Sequence, residues 1–139
     1  MDEQLIAQKL ESLRRCVQRV ESRLPKDAET LLTDLDAQDI VSLNLTRSVQ
    51  MCVDIASHWL AGHSEVTAPR TMGQVFDALA DAGVISSGLA ERMRKSVGFR
   101  NVMVHNYDEV NWQIVYSIGH DHMNDFRDFA RIFSDLITR

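Results

Sequence analysis

The 139-residue sequence predicts an all-α fold, an up-and-down helical bundle of four main helices plus one or two short ones, in a single domain over 1–139. Apolar residues recur at spacings of three and four, the period of a helix face. Only two prolines and six glycines interrupt the chain, too few for a many-stranded sheet with its turns. Hydrophobic residues make up 45% and charged residues 25%, enough for one core and a solvated surface.

The first helix is expected over residues 1–24. Ile6, Leu10, Leu13, Val17, Val20 and Leu24 form the seam of a helix that lies along another helix, and Pro25 ends it. On the other side Arg15, Arg19 and Arg23 stand four apart, with Arg14 beside them. Such a row is more often a solvated face, here balanced by Glu11 and Glu21. The sharper alternative is a stripe that tracks phosphates. Residues 26–35, with Leu31 and Leu32, suit a short helix or an irregular turn. From about Asp36 a second long helix runs through Ile40, Leu45, Val49, Cys52, Ile55 and Trp59. It is apolar on more than one face, as a central helix is, and Gly62 fits its C-terminal cap.

A loop over 63–70, closed by Pro69, leads to Thr71 and Gln74, a capping-box pair. The short helix that follows carries Val75, Phe76 and Leu79 and stops at Gly83. Ser86 or Ser87 can cap the next helix, whose buried side is expected to be Leu89, Met93, Val97 and Val104. Asn111 can cap the last helix. Its stripe runs Val115, Ile118, His122, Phe126, Phe129, Phe133 and Leu136, with a bend at Gly119 and His122 as a hydrogen-bonded core histidine. Trp59, Trp112 and Phe99 are read as packing residues, and Tyr116 as an exposed neighbour of the site described next.

The N-terminus, Met1-Asp2-Glu3-Gln4, has no basic start followed by an apolar run, and no segment approaches the ~20 apolar residues of a membrane helix. A cytoplasmic protein with no membrane contact is therefore expected. Cys16 and Cys52 sit at helical apolar positions and are expected as reduced core thiols. The pairs His58/His63 and His120/His122 lack metal-ligand geometry, so neither a metal nor a cofactor is expected. The formal net charge of −5 argues against a general nucleic-acid binder held by a global positive field, and no DNA partner is expected. Charge is unevenly placed, however. Arg92, Arg94, Lys95 and Arg100 fall close together with only Glu91 against them in sequence, which makes Arg92, Arg94 and Lys95 candidate RNA contacts.

Those cations precede the one stretch rich in chemistry, Phe99 to Asp108. It holds Arg100, Asn101, His105 and Tyr107 within eight residues. Imidazole is suited to proton transfer near neutral pH, and guanidinium to holding phosphate oxygens in a fork. Together they suit phosphodiester cleavage in which the RNA 2′-hydroxyl is the nucleophile. His105 would move a proton and Arg100 would stabilise charge in the transition state. Asn101 would orient His105 or help hold phosphate. The plainer alternative is a polar helix end. On an ideal helix Asn101 and His105 share a face, whereas Arg100 and His105 stand about 140° apart. Either the Arg100 side chain wraps round, or the helix ends near His105, or a second copy of the protein completes the site.

Arg100-Asn101-x-x-x-His105-x-Tyr107 resembles the Arg-x4-His-x-Tyr signature of HEPN-domain proteins, and the chain resembles their HepT-like branch over nearly its full length. The resemblance implies a metal-independent endoribonuclease, the toxin of a toxin–antitoxin pair, working on tRNA or mRNA as a homodimer. It makes Arg100 and His105 catalytic, with Asn101 in support. It also implies a minimal nucleotidyltransferase antitoxin that attaches AMP to Tyr107. A non-catalytic helical module that binds such a transferase and is modified by it is the competing expectation.

Overall fold

The computed structural model describes residues 2–63, 65 and 69–138. Among these residues the chain forms α1 (Glu3–Arg23), α2 (Ala28–Thr33), α3 (Leu35–Ala61), α4 (Gln74–Asp81), α5 (Ser87–His105), a 3₁₀ turn (Tyr107–Glu109), α6 (Trp112–Asp121) and α7 (Asn124–Ile137). The all-α expectation holds. The loop expected over 63–70 lies partly outside the described residues.

Helix starts follow short polar side chains. Asp2, Asp27, Asp34, Ser86 and Asn111 each accept a backbone N–H from the first turn of the helix they open. The capping-box threonine stands two residues ahead of the cap. Thr71 Oγ1 accepts from Gln74 N at 3.2 Å, while Gln74 Oε1 reaches back to Arg70 N at 2.8 Å. Gly73, which makes no side-chain bond, therefore stands at the cap.

Helices α1 and α3 run antiparallel along one another. Asp2 N donates to His58 Nε2 at one end, and Lys9 Nζ meets Asp54 Oδ2 at 3.3 Å further along. Ile6, Leu13, Val17 and Val20 bury the α1 seam, and α3 is buried on most sides from Ala37 to Leu60. This length of apolar surface, roughly 25 cal/mol per Å² removed from water, makes α3 the central element. Across the core Phe76 meets Phe129 edge-on at 5.8 Å, and Phe129 lies 4.8 Å from Phe133, tying α4 to α7. Cys16 and Cys52 are free and buried, and burial pushes the Cys52 thiol well above its ordinary pKa.

The last helix departs from expectation. It breaks at His122–Met123 into α6 and α7, instead of bending at Gly119. His122 is exposed at the C-cap of α6, not a core histidine, and Met123 fills the buried place. The apolar period continues across the break because α6 and α7 bury the same side of the chain. Gly119 has another use. A Cβ there would come within 3.0 Å of Leu24 Cδ1, so its missing side chain lets α6 approach the end of α1.

Candidate active site

Helix α5 carries the motif, and its burial pattern explains where the arginine goes. Leu89, Met93 and Val97 face the core as expected, but the stripe continues through Met103 and leaves Val104 exposed. From Val97 a step of three leads to Arg100 and another to Met103. Arg100 thus occupies a core-facing position and its side chain lies half-buried against α3. The helix ends at His105, with Asn106 turned out of helical conformation at φ −137°, ψ 53°. Of the three arrangements open to the sequence, the structure shows the helix ending at His105 and the arginine reaching sideways.

The partners of Arg100 are neutral. Nη1 donates to Asn101 Oδ1 at 3.0 Å and Nη2 to Gln50 Oε1 at 3.3 Å. Its Nε is buried and meets no acceptor among the described residues, a deficit that costs roughly 1–3 kcal/mol. Gln50 is itself held, its Nε2 donating to Asp54 Oδ1 at 2.9 Å while Lys9 holds the other carboxylate oxygen. A polar chain therefore runs from α1 through α3 to Arg100. Among the described residues no carboxylate touches the guanidinium directly, so its charge remains available to an anion. Asn101 supports Arg100 by this bond. The structure gives it no bond to His105 among the described residues.

His105 is exposed on the last turn of α5. Beyond it the 3₁₀ turn places Tyr107, 41% exposed, beside the N-terminal part of α3. Its hydroxyl donates to Asp39 Oδ1 at 3.3 Å and lies 3.5 Å from Ser42 Oγ, and its ring meets Trp112 edge-on at 5.6 Å. Partial burial foremost, then the Asp39 carboxylate, raise the phenol above its ordinary pKa, against the lowering effect of Ser42.

The α3 stripe Asp39, Ser42, Gln50 is a part of the site that sequence reasoning missed. Each of these residues looks like an ordinary polar edge of a buried helix, and only the α3–α5 packing gives it a partner. Other candidates moved. The cations of α5 are not opposed by Glu91 alone: Arg92 pairs with Asp125 at 2.8 Å and Arg94 with Asp77 at 2.8 Å, while Lys95 pairs with Glu91 at 3.6 Å. Carboxylates distant in sequence reach them from α4 and α7. Tyr116 is not free beside the motif. Its hydroxyl donates to Lys26 O at 2.9 Å, in the turn between α1 and α2. Trp59 is buried and stacks on His63 at 3.6 Å.

An all-helical domain that presents an arginine, a histidine and a tyrosine at the end of one long helix has the architecture of the HEPN class. Comparison with known proteins narrows the class. The family described as Ribonuclease HepT-like matches residues 13–132. The mRNA nuclease HepT of Shewanella oneidensis is 33% identical over 128 residues, 92% of this chain and 95% of its own. Among solved structures, a tri-AMPylated Shewanella oneidensis HEPN toxin in complex with its MNT antitoxin superimposes with a TM-score of 0.86. It is 31% identical, with 97% of this chain and 98% of that one covered. A toxin–antitoxin structure with AMP-PNP gives a TM-score of 0.87 at 30% identity, covering 95% and 98%. The chain belongs to the HepT-like ribonuclease family.

Proposed function

We propose that this protein is the toxin of a toxin–antitoxin pair, an endoribonuclease that cuts RNA without a metal and acts in the cytoplasm. The observation that carries the reading is the Arg100 guanidinium, held at the end of α5 by two amide oxygens and by no carboxylate, five residues from an exposed histidine. In the proposed reaction the RNA 2′-hydroxyl attacks the adjacent phosphorus and the 5′-oxygen leaves. His105 transfers a proton, and Arg100 binds the oxygens that gain charge in the transition state. The products are a 2′,3′-cyclic phosphate and a 5′-hydroxyl. DNA, which lacks the nucleophile, is not a substrate. The Shewanella relative is an mRNA nuclease, which favours mRNA over tRNA.

The Arg-x4-His-x-Tyr resemblance, which implies a homodimer, supports a second copy of the chain supplying the opposite half of the cleft. The partner is a minimal nucleotidyltransferase, like the MNT antitoxin complexed with the related toxin. It transfers AMP from ATP, with release of pyrophosphate, to the hydroxyl of Tyr107, a residue 41% exposed and two positions past His105. The added phosphates sit near the cleft and compete with RNA for Arg100.

The test is cleavage of RNA by purified protein in EDTA, with end-group analysis. Cutting with cyclic phosphate ends, lost in a folded His105→Ala protein, is expected. Equal cutting by that variant overturns the reading. Intact-mass measurement after co-expression with the transferase is expected to show added AMP units that Tyr107→Phe removes. Light scattering that finds only monomer at micromolar concentration overturns the shared cleft.

A further inference from the structure

Apart from Arg100, the cations that α5 carries near the motif, Arg92, Arg94 and Lys95, are each matched by a carboxylate. A groove of about 540 Å³ between α1 and α3 is different. Arg15 and Arg19 from α1 and Arg47 from α3 line it, with the neutral donors and acceptors of Gln18 and Asn44 between them, and among the described residues no acidic one does. Among the described residues Arg19 and Arg47 make no ion pair, and both are exposed. Arg15 pairs with Glu11 through Nε alone, at 3.3 Å. The Cys16 thiol in the groove is pushed up by its burial, against the pull of Arg47, so it brings no competing negative charge.

The groove also has a direction. Arg47 stands three residues before Gln50 on α3, about 60° round the helix and roughly 4.5 Å along it, and Gln50 holds Arg100. Phosphates on Arg15, Arg19 and Arg47 would thus belong to a chain that can continue towards the Arg100 guanidinium. A flexible single strand fits such a row of cations, since it is read through its backbone with little demand on sequence.

We propose that the α1–α3 groove is a second RNA site, in which Arg15, Arg19 and Arg47 bind backbone phosphates of the strand flanking the scissile bond. The inference rests on the ribonuclease reading for the identity of the polyanion, and is tested without relying on cleavage. Fluorescence anisotropy would follow binding of a 2′-O-methyl single-stranded RNA, which cannot be cut, to the full chain and to an R19Q/R47Q double variant over a range of salt. Removing two phosphate contacts is expected to weaken binding several-fold at low salt. It should also lower the slope of log affinity against log salt by about 1.4. An Arg131→Gln variant, which removes an exposed cation elsewhere, should keep the parent slope, and thermal melts should match throughout. In cleavage assays the double variant should raise KM for long RNA and leave kcat unchanged. A dinucleotide, whose one phosphate is the scissile one and leaves none for the groove, should be cut as by the parent.

Unchanged affinity and slope in the double variant overturn the proposal, as does an equal loss on short and long substrates. So does a variant that binds RNA normally and loses only the nucleotidyltransferase. Parent protein that binds RNA through Arg19 and Arg47 and cuts none would leave this site standing and remove the nuclease reading instead.

Discussion

The two halves of α5 handle positive charge in opposite ways. In the N-terminal half Arg92 and Arg94 reach carboxylates on α7 and α4, and Lys95 pairs within the helix. In the C-terminal half Arg100 rests on the amide oxygens of Asn101 and Gln50, while His105 lies open at the helix end. Cations matched by carboxylates present little net field and hold neighbouring helices in register. A cation matched by neutral acceptors is oriented and keeps its charge. What the partner is, more than how many cations there are, decides whether an arginine serves the architecture or a ligand.

The sharpest way to break this contrast is at the motif. His105→Ala should lower RNA cleavage by about 10²- to 10⁴-fold, the usual worth of a positioned acid or base, with no loss in urea stability because the imidazole is exposed. Arg100→Lys keeps the charge and loses the fork. A loss of about 10²-fold in kcat is expected, comparable with removal of one transition-state donor. Cleavage near the parent level by either variant would erase the distinction between the halves.

Gln50 tests the contrast more finely. Gln50→Leu removes one hydrogen bond to a charged group, worth roughly 1.5 kcal/mol, and should lower kcat about tenfold with little change in KM. Gln50→Glu restores the acceptor with a negative charge. It also loses the Gln50 Nε2 bond to Asp54, as Gln50→Leu does, so if neutrality matters it binds the non-cleavable RNA more weakly than Gln50→Leu. Rescue of both activity and affinity by Glu would show that only the geometry counts. The smallest effect belongs to Arg92→Gln. It breaks a partly buried pair with Asp125 and should cost about 1 kcal/mol in denaturant titration. A loss of RNA affinity as large as that of R19Q/R47Q would mean that the ion pair leaves Arg92 free to act on RNA.

Sequence periodicity located the helices well where one face repeats without interruption. The seam from Ile6 to Val20 and the aromatic stripe from Phe126 to Phe133 are both buried, because burial imposes the 3.6-residue period directly. Periodicity failed at His122, since a break that leaves both helices packed on the same side preserves the apolar pattern. It failed at Val104 because the core stripe drifts, and the step from Val97 fell on Arg100. The motif stood out by residue type and spacing alone. Its supports did not. Asp39 and Gln50 join it through contacts across 68 and 50 positions of chain. Asp39 and Gln50 touch Tyr107 and Arg100 directly, and Asp54 is linked through Gln50. Nothing local in the sequence announces a pairing at that distance.

The unmet N–H of Arg100 sets a clock as well as an energy. An arginine locked on a carboxylate must break a charge-assisted bond before it can serve another anion. Arg100 has only amide acceptors, and its Nε has none among the described residues. Exposed side chains change rotamer in picoseconds to nanoseconds, and enzymes turn over at about 1–10³ per second. Half-buried Arg100 is slower than an exposed arginine, but among the described residues it has no ion pair to break before it meets a phosphate. Its arrival is therefore not expected to be the pause in the reaction. Any rate limit that depends on motion falls to slower events, such as the entry of the strand or a shift of the turn that carries Tyr107.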